Sequence, residues 1–145
     1  MSSISVSWLP WALASAAFAA LTAIFAKVGV ANINADLATL IRTVVIAATL
    51  VAMVSATGQW QDPQSISGRT WLFLLLSGLA TGASWVCYFR ALKVGDAARV
   101  APIDKLSVVL VAVFGVLFLG ERLSGTNWLG VALIAAGALL VAVKS

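Results

Sequence analysis

The sequence predicts an all-α membrane protein with five transmembrane helices, an N-terminus outside the cell and a cytoplasmic C-terminus. Three observations support this fold class. Hydrophobic residues make up 62% of the 145 residues and charged residues only 10%, whereas a soluble domain carries roughly 25% charged residues. Five apolar segments approach the ~20 residues that a helix needs to cross the hydrocarbon core. Short polar breaks with turn-forming residues separate these segments.

The five predicted spans form a single domain over residues 1–145, without a soluble part. They cover approximately residues 8–28, 36–57, 70–92, 97–119 and 126–143. The first segment contains small residues that resemble a signal-peptide cleavage site. However, no Lys or Arg precedes it, and it runs on to Lys27, which is too long for a typical signal peptide. We therefore predict that it is a retained span.

The breaks between the spans carry helix-terminating and turn residues. In the first break, Asp36 is a candidate N-cap for the second helix. The second break is the longest, and the third and fourth each contain a glycine. Because the links are short, neighbouring helices must run antiparallel. The four breaks are Asn32–Asp36, Gly58–Pro63, Gly95–Asp96 and Ser124–Thr126.

The distribution of basic residues predicts the orientation. One side of the predicted bundle has only Arg69 and Arg122. The basic side is expected to face the cytoplasm, because cytoplasmic loops carry an excess of Lys and Arg. Its basic residues are Lys27, Arg90, Lys93, Arg99 and Lys144, with Arg42 nearby. The protein is therefore expected in the inner, cytoplasmic membrane as a multi-pass protein in contact with the lipid bilayer.

The tryptophans give a second signal for the same topology. All but one lie at span ends on the proposed outer side, as in the aromatic belts of membrane interfaces. Trp85, inside the third span, is the exception. The belt tryptophans are Trp8, Trp11, Trp60, Trp71 and Trp128.

Composition also excludes several functions. The net charge of +4 comes from basic residues scattered at helix ends, so nucleic acid is not an expected partner. The chain has one cysteine, Cys87, and no histidine. An intramolecular disulfide, a Cys/His metal cluster and a His-based catalytic triad are therefore impossible. We expect no catalytic residues, no metal and no cofactor, and hence no enzyme.

Several motifs resemble a known family. The run SWVCYFRALK from Ser84 continues into VGDAARVAPIDKLS, which ends at Ser107, and FLGER and GVALIAAG follow. In this order they resemble the EamA-type domain of the drug/metabolite transporter superfamily. The first half fits as well, with WLPW, FAK and ATLIRT. The resemblance covers essentially the whole chain, but it does not specify a substrate.

The resemblance implies one repeat of an inverted-repeat transporter fold. Most members of that superfamily look like two fused domains with ten spans, whereas this chain resembles the five-span bacterial and archaeal branch. One repeat is half of a site at the repeat interface, so the resemblance implies a homodimer or a related membrane partner. An antiparallel homodimer needs copies in both orientations, and the charge bias argues against this. A parallel homodimer and an oppositely oriented partner both stay open.

Arg42 is the first candidate for binding a substrate or ion, because an ionisable residue inside a span is costly. It lies about six residues into the second span, or ~9 Å. Thr39, Arg42 and Thr43 share one helix face. In the alternative interpretation, Arg42 snorkels to the cytoplasmic headgroups.

Asp104, Lys105 and Ser107 are the next candidates, in the fourth span. Adjacent residues point about 100° apart on a helix, so the sequence predicts that Asp104 and Lys105 do not form a facing pair. Pro102 is expected to loosen the helix by leaving the carbonyl one turn earlier unpaired. If the helix starts near Asp96, these side chains line a cavity. If it starts at Pro102, Asp104 is a first-turn acid and Lys105 snorkels.

Trp85 and Tyr88 complete the candidate site, three residues apart on the third span. They form either an aromatic wall for a small organic ligand or part of an interfacial aromatic belt. Two pairs of glycines are interpreted as helix-packing positions rather than ligand contacts. They are Gly78 and Gly82 in the third span, and Gly130 and Gly137 in the fifth, where the seam is a candidate dimer contact.

The leading functional hypothesis is a secondary transporter or exporter of a small metabolite that works by alternating access as a dimer. The cluster of Arg42, Asp104 and Lys105 carries a net positive charge, which favours an anionic or amino acid-like substrate. A cation exporter of the small multidrug-resistance type is an alternative, but those proteins use an acid in the first helix, and no acid precedes Asp36. A non-transporting membrane subunit of a larger complex is the third hypothesis.

Overall fold

The computed structural model describes residues 8–143, which form six α-helices and contain no β-strand. The helices are α1 (Trp8–Val30), α2 (Ala35–Thr57), α3 (Gly68–Val94), α4 (Ala97–Asp104), α5 (Ser107–Leu119) and α6 (Gly125–Ala142), with a short 3₁₀ turn at Pro63–Ser65. Within residues 8–143, five segments are long and apolar enough to cross a membrane, because α4 and α5 together form the fourth. The predicted all-α, five-span fold is confirmed. Lys144, used above for the orientation, lies outside the described residues.

Large apolar side chains cover the surface of the helices. Trp8 is 75% exposed and Phe118 is 78% exposed, while the largest fully buried side chains are Leu92 and Val30. Such an apolar surface is incompatible with water and suits lipid or other membrane helices. Helices also satisfy their own backbone hydrogen bonds, which the hydrocarbon core requires.

The chain divides into two compact units. Of the described residues, the first contains α1 up to Ala26 together with residues 95–143. In this unit α6 packs against both α4 and α5. The Arg99 guanidinium donates a hydrogen bond of 2.7 Å to the carbonyl of Ala142. This bond joins α4 to the last turn of α6, where a helix leaves carbonyl groups without intrahelical donors.

The second unit runs from Lys27 to Val94 and contains the last residues of α1, then α2 and α3. α2 packs against α3. Every buried residue of this unit lies where α1 ends, α2 begins and α3 ends, which we call the closed end. These residues are Val30, Ala35, Ala38, Thr39, Phe89 and Leu92. The rest of α2 and α3 buries no residue within the unit.

The start of α2 differs from the sequence prediction. The N-cap is Asn34, not Asp36: its side-chain oxygen accepts hydrogen bonds from the backbone N–H groups of Asp36 (2.8 Å) and Leu37 (3.2 Å). Asparagine is among the best N-cap residues because it satisfies these unpaired donors. Asp36 lies in the first turn, where its negative charge suits the helix dipole, and its carboxylate is available for another helix.

Glycine ends two helices in the left-handed conformation. Gly58 has φ +63° after α2, and Gly120 has φ +68° after α5. Glycine adopts positive φ without the steric cost that a Cβ imposes. At the start of α6, the Ser124 hydroxyl caps the helix by accepting from the backbone N–H of Asn127 at 3.2 Å. The turn chemistry predicted for these breaks is therefore present.

The fourth span begins at Ala97, with Asp96 as the N-cap residue, and is interrupted at Lys105 and Leu106. The start at Pro102 is therefore wrong. At the interruption, the N–H of Leu106 bonds to the carbonyl of Ile103, three residues earlier, and the N–H of Val108 bonds to that of Lys105, both at 3.0 Å. This three-residue spacing is typical of a tighter 3₁₀ turn. The helix continues through Pro102 and breaks after it, at Lys105 and Leu106, whereas the sequence predicted loosening at the proline itself.

Candidate functional site

The Arg42 guanidinium lies against two aromatic rings of α3. Its central carbon is 4.1 Å from the centre of the Trp85 ring and 5.5 Å from that of Phe89. Both distances are within the ~6 Å typical of cation–π contacts, and tryptophan is the strongest partner. Arg42 therefore packs on the neighbouring helix, inside a segment long enough to span a membrane. We call Arg42, Trp85 and Phe89 the Arg42 shelf.

No carboxylate neutralises Arg42 among residues 8–143: the ion pairs there are Arg90–Asp36 and Lys105–Asp104. Aromatic faces stabilise the cation but accept none of the hydrogen bonds that the guanidinium edge donates. A guanidinium presents those donors in a planar fork that matches a carboxylate or phosphate. The Arg42 shelf is chemically suited to hold an anion.

The two threonines that share a face with Arg42 are used by their own helix. The Thr39 hydroxyl donates to the carbonyl of Ala35 at 2.9 Å, and the Thr43 hydroxyl donates to that of Thr39 at 2.8 Å. Threonine commonly bonds to the preceding turn in this way. Their hydroxyl hydrogens are therefore not directed at a ligand.

Tyr88 adjoins the Arg42 shelf through Phe89. The two rings meet edge to face, with centroids 6.5 Å apart and planes inclined by 65°. Tyr88 is half-buried, whereas Phe89 is 3% exposed. Phe89 was not among the predicted site residues. The available signal was its spacing of four residues from Trp85, which places both rings on one face of α3.

Long-range hydrogen bonds from basic side chains connect the segments that meet at the closed end. The Arg90 guanidinium donates to both carboxylate oxygens of Asp36, with Nε–Oδ1 at 2.9 Å and Nη2–Oδ2 at 2.7 Å. The Lys27 ammonium donates to the carbonyl of Leu92 at 2.7 Å, and the Lys93 ammonium donates to the carbonyl of Ile33. The sequence did not suggest the pair between Asp36 and Arg90, because 54 residues separate them.

Asp104 and Lys105 form an ion pair, with 3.1 Å between Lys105 Nζ and Asp104 Oδ2. The prediction that adjacent residues would not face each other is wrong here. It assumed a continuous helix, but Lys105 lies in the interruption, where its long side chain reaches back to the carboxylate. Ser107 is the first residue of α5 and is exposed. The ion pair therefore lies at the interruption of the fourth span: Asp104 is the last residue of α4, and α5 begins at Ser107.

Comparison with known proteins decides the family. A family model described as the EamA-like transporter family matches residues 6–143. The chain belongs to the EamA-like transporter family. The resemblance found in the sequence motifs is thereby confirmed, and the family is one of transporters rather than enzymes.

Two relatives of this EamA-like protein are themselves named transporters. A Sinorhizobium sp. protein, "Uncharacterized transporter in cobO 3'region", is 76% identical over 140 residues, which cover 97% of this chain and 99% of the relative. A "Riboflavin transporter" of Rhizobium johnstonii is 37% identical over 75 residues, which cover 52% of this chain but 25% of that protein. No solved structure matches the chain significantly.

The predicted site residues of the EamA-like chain fall into two groups. Arg42 and Trp85 meet in the unit from Lys27 to Val94, with Tyr88 beside them. Asp104 and Lys105 meet in the other unit, at the interruption that precedes Ser107. The structure describes the contacts within each group separately. Among the described residues, no set of three His, Cys, Asp or Glu side chains could hold a metal ion.

The four glycines interpreted as packing positions have no neighbour within the described chain. A Cβ built on any of them would meet no atom within 4 Å beyond its own helix. The described residues therefore supply no partner for this packing, and contact with another chain stays a prediction. The positions are Gly78, Gly82, Gly130 and Gly137.

Proposed function

We propose that this protein is a secondary transporter of a small anionic or amino acid-like metabolite, working by alternating access as a dimer in the inner membrane. The observation that carries the proposal is the Arg42 shelf. It holds a guanidinium on two aromatic faces within a membrane-spanning segment, and no carboxylate among residues 8–143 pairs with it. A substrate carboxylate would supply the missing hydrogen-bond acceptors.

The same shelf disfavours a cationic substrate. A guanidinium repels a cation, and its aromatic neighbours, which could otherwise bind one, already contact Arg42. Family membership and the names of both relatives support transport. The name of the Rhizobium relative makes riboflavin one further probe to test.

A dimer is proposed by comparison with transporters that are built from two repeats. The 75 aligned residues are only 25% of the riboflavin transporter, so that chain is about twice as long as this one. Two copies of the present chain would supply a similar number of spans, with sites near the midplane as in transporters built from repeats. The two copies run either parallel or antiparallel, or a related partner replaces one of them. Mapping the topology of the chain distinguishes these arrangements.

Asp104 is the proposed proton-coupling residue. It lies eight residues into the fourth span, and acids within transmembrane segments of transporters commonly relay protons. Lys105 is its ion-pair partner, so protonation of Asp104 would leave the Lys105 ammonium without a counter-charge at the interruption. Ser107 supplies a hydroxyl beside the same interruption.

Flux in proteoliposomes tests the proposed function. Purified protein would be assayed for counterflow of labelled glutamate, benzoate, riboflavin and tetraphenylphosphonium. We expect uptake of at least one anion, and its loss in Arg42→Gln. The matched control is Arg69→Gln, since Arg69 stacks on Phe73 of its own helix at 5.8 Å. Uptake of tetraphenylphosphonium alone would favour a cation exporter, and no flux of any probe would favour a non-transporting subunit.

Topology mapping tests the proposed orientation. Reporter fusions at Ser145 should be active only on the cytoplasmic side, because the basic residues lie at that end of the spans. Equal signals on both sides would overturn the charge argument and support an antiparallel dimer of identical copies.

A further inference from the structure

We infer that Arg90 is a second anion-binding position, on the substrate path from the Arg42 shelf, and that Asp36 closes it as a gate. The inference rests on the proposed transport of an anion. Its structural basis is the closed end of the unit from Lys27 to Val94. There the Asp36 carboxylate occupies both the Nε and Nη2 donors of the Arg90 guanidinium.

The bidentate geometry is the one that a substrate carboxylate would adopt. Two parallel N–H···O bonds between a guanidinium and a carboxylate give both strength and orientation. Asp36 can therefore be viewed as a tethered anion that holds the site when no substrate is present. Both side chains are exposed, at 49% for Asp36 and 63% for Arg90, so a dissolved carboxylate can approach the pair and exchange with it.

The surrounding charge favours this exchange. Lys27, Lys93 and Arg90 lie at the closed end together with Asp36, which pairs with Arg90. The cluster consequently keeps a net positive charge while the gate is shut, which attracts an anion. When substrate replaces Asp36, the cluster becomes better neutralised.

The gate lies one to two helical turns from the Arg42 shelf on both helices. Asp36 precedes Arg42 by six residues on α2, and Arg90 follows Trp85 by five on α3, so the separations along the helices are about 9 Å and about 7.5 Å. Between these levels lie Thr39, which is 6% exposed, and Phe89, which is 3% exposed. Separation of Asp36 from Arg90 would uncover this buried layer.

The two ends of the α2–α3 pair differ in their long-range hydrogen bonds, as expected for a path that is closed at one end. At the closed end, hydrogen bonds join residues 54 to 65 positions apart. At the opposite end, the described hydrogen bonds join residues at most five positions apart, as between Trp60 and Ser55. A Cβ on Gly78 or Gly82 would meet no neighbour. The structure thus represents a state that is shut on one side of the Arg42 shelf.

The first experiment needs no substrate. In a Cys87→Ser background, Thr39→Cys places the only thiol in the buried layer, and a membrane-impermeant maleimide is applied to inside-out vesicles. We expect Asp36→Asn to raise the labelling rate about two- to fivefold, the range that loss of one exposed ion pair permits. The swap Asp36→Arg with Arg90→Asp should restore slow labelling. Arg69→Gln is the control and should leave the rate unchanged.

The second experiment tests the anion site itself, with benzoate and glutamate as probes. For whichever probe the wild-type protein transports, Asp36→Asn should lower KM on the side of the closed end, because the tethered competitor is gone. Arg90→Gln should raise KM from that side without changing counterflow from the other. These opposite shifts cannot come from a general loss of stability, and size-exclusion elution checks that each variant is folded.

The outcomes separate the gate from the transport proposal. Labelling of Thr39→Cys that is equally slow in Asp36→Asn and in the Arg69→Gln control would overturn the gate. Faster labelling without flux of any probe would leave the gate standing and sink the proposed transport function. Arg90→Lys, which keeps the charge but loses the planar fork, gives a second check. With Arg90→Lys, the Thr39→Cys thiol should be labelled faster than in the parent and more slowly than with Arg90→Gln.

Discussion

The Arg42 guanidinium lies over the Trp85 indole, with 4.1 Å between its central carbon and the ring centre. One face of the cation is thus covered by α3 while its N–H edge is not paired with a carboxylate of residues 8–143. This arrangement fixes the plane in which an anion can bind, since guanidinium donors lie in the plane of the group.

Replacement of Arg42 by lysine should separate charge from geometry. The lysine keeps the positive charge but loses the planar fork and most of the stacking. We expect the affinity for a transported carboxylate to fall roughly tenfold, as when one charge-assisted hydrogen bond of about 1.5 kcal/mol is lost. Counterflow in proteoliposomes measures it, with Arg69→Lys as the control. Unchanged affinity would show that the fork is not used.

Asp104→Asn should uncouple transport from a proton gradient. The variant cannot take up and release a proton at this position, so accumulation driven by a pH gradient should be lost while exchange of substrate across the membrane persists. Lys105→Ala removes the partner at 3.1 Å and should weaken coupling without abolishing it. Substrate uptake by both variants and by the parent protein is measured with and without an imposed pH gradient. If both variants accumulate substrate normally, the pair has no role in transport.

Asn34→Ala should destabilise the protein by about 1 kcal/mol, the usual cost of losing an N-cap. The amide oxygen of Asn34 accepts from two backbone N–H groups of α2, and alanine cannot replace it. Thermal unfolding in detergent measures the change. Asn34→Asp keeps the acceptor and should be close to the parent, and Asn32→Ala, in the preceding turn, is the matched control.

Gly58→Ala should cost roughly 1–2 kcal/mol, because the left-handed conformation at φ +63° brings a Cβ close to the backbone. No other atom lies within 4 Å of the added Cβ, so the cost would be conformational rather than steric crowding by neighbours. The midpoint temperature of thermal unfolding in detergent measures this destabilisation. Gly68→Ala, at a helical position with equally open surroundings, should be neutral or stabilising.

Gly115→Ala tests a contact between α5 and the residue that follows its cap. A Cβ at this position would lie 2.5 Å from Oε2 of Glu121, whose side chain folds back over the helix. The carboxylate must therefore move. In a Glu121→Ala background the same glycine substitution should become stabilising by up to about 1 kcal/mol, the gain in helix propensity. A double-mutant cycle on thermal stability measures the difference, and additive effects would show that the two residues do not interact.

The sequence predicted the spans well because each is a long apolar run between turn residues. The observed helix bounds, such as Ala35–Thr57 for the second span, differ from the predicted ones by at most two residues. Local capping was less predictable: Asn34 and Asp36 are both good N-cap residues, and only the structure shows that Asn34 caps while Asp36 pairs with Arg90.

The candidate site was predictable in its residues but not in its contacts. Depth in the membrane pointed to Arg42, and an unexpected interior tryptophan pointed to Trp85. Their contact depends on the register between α2 and α3, which hydrophobic periodicity does not specify. The ion pair between Asp104 and Lys105 was missed for a different reason: helical geometry was extended through a segment where the helix is interrupted.

The basic residues at helix ends have a consequence for the evolution of topology. The predicted orientation rests in part on Lys27, Lys93 and Arg99, and each also donates to a carbonyl at or beyond a helix end, those of Leu92, Ile33 and Ala142 respectively. A lineage that moved these cations to reverse or randomise its insertion would leave those carbonyls without a donor. The predicted insertion signal and the hydrogen bonds that close the helix ends reside in the same three side chains, so a change to one is expected to affect the other.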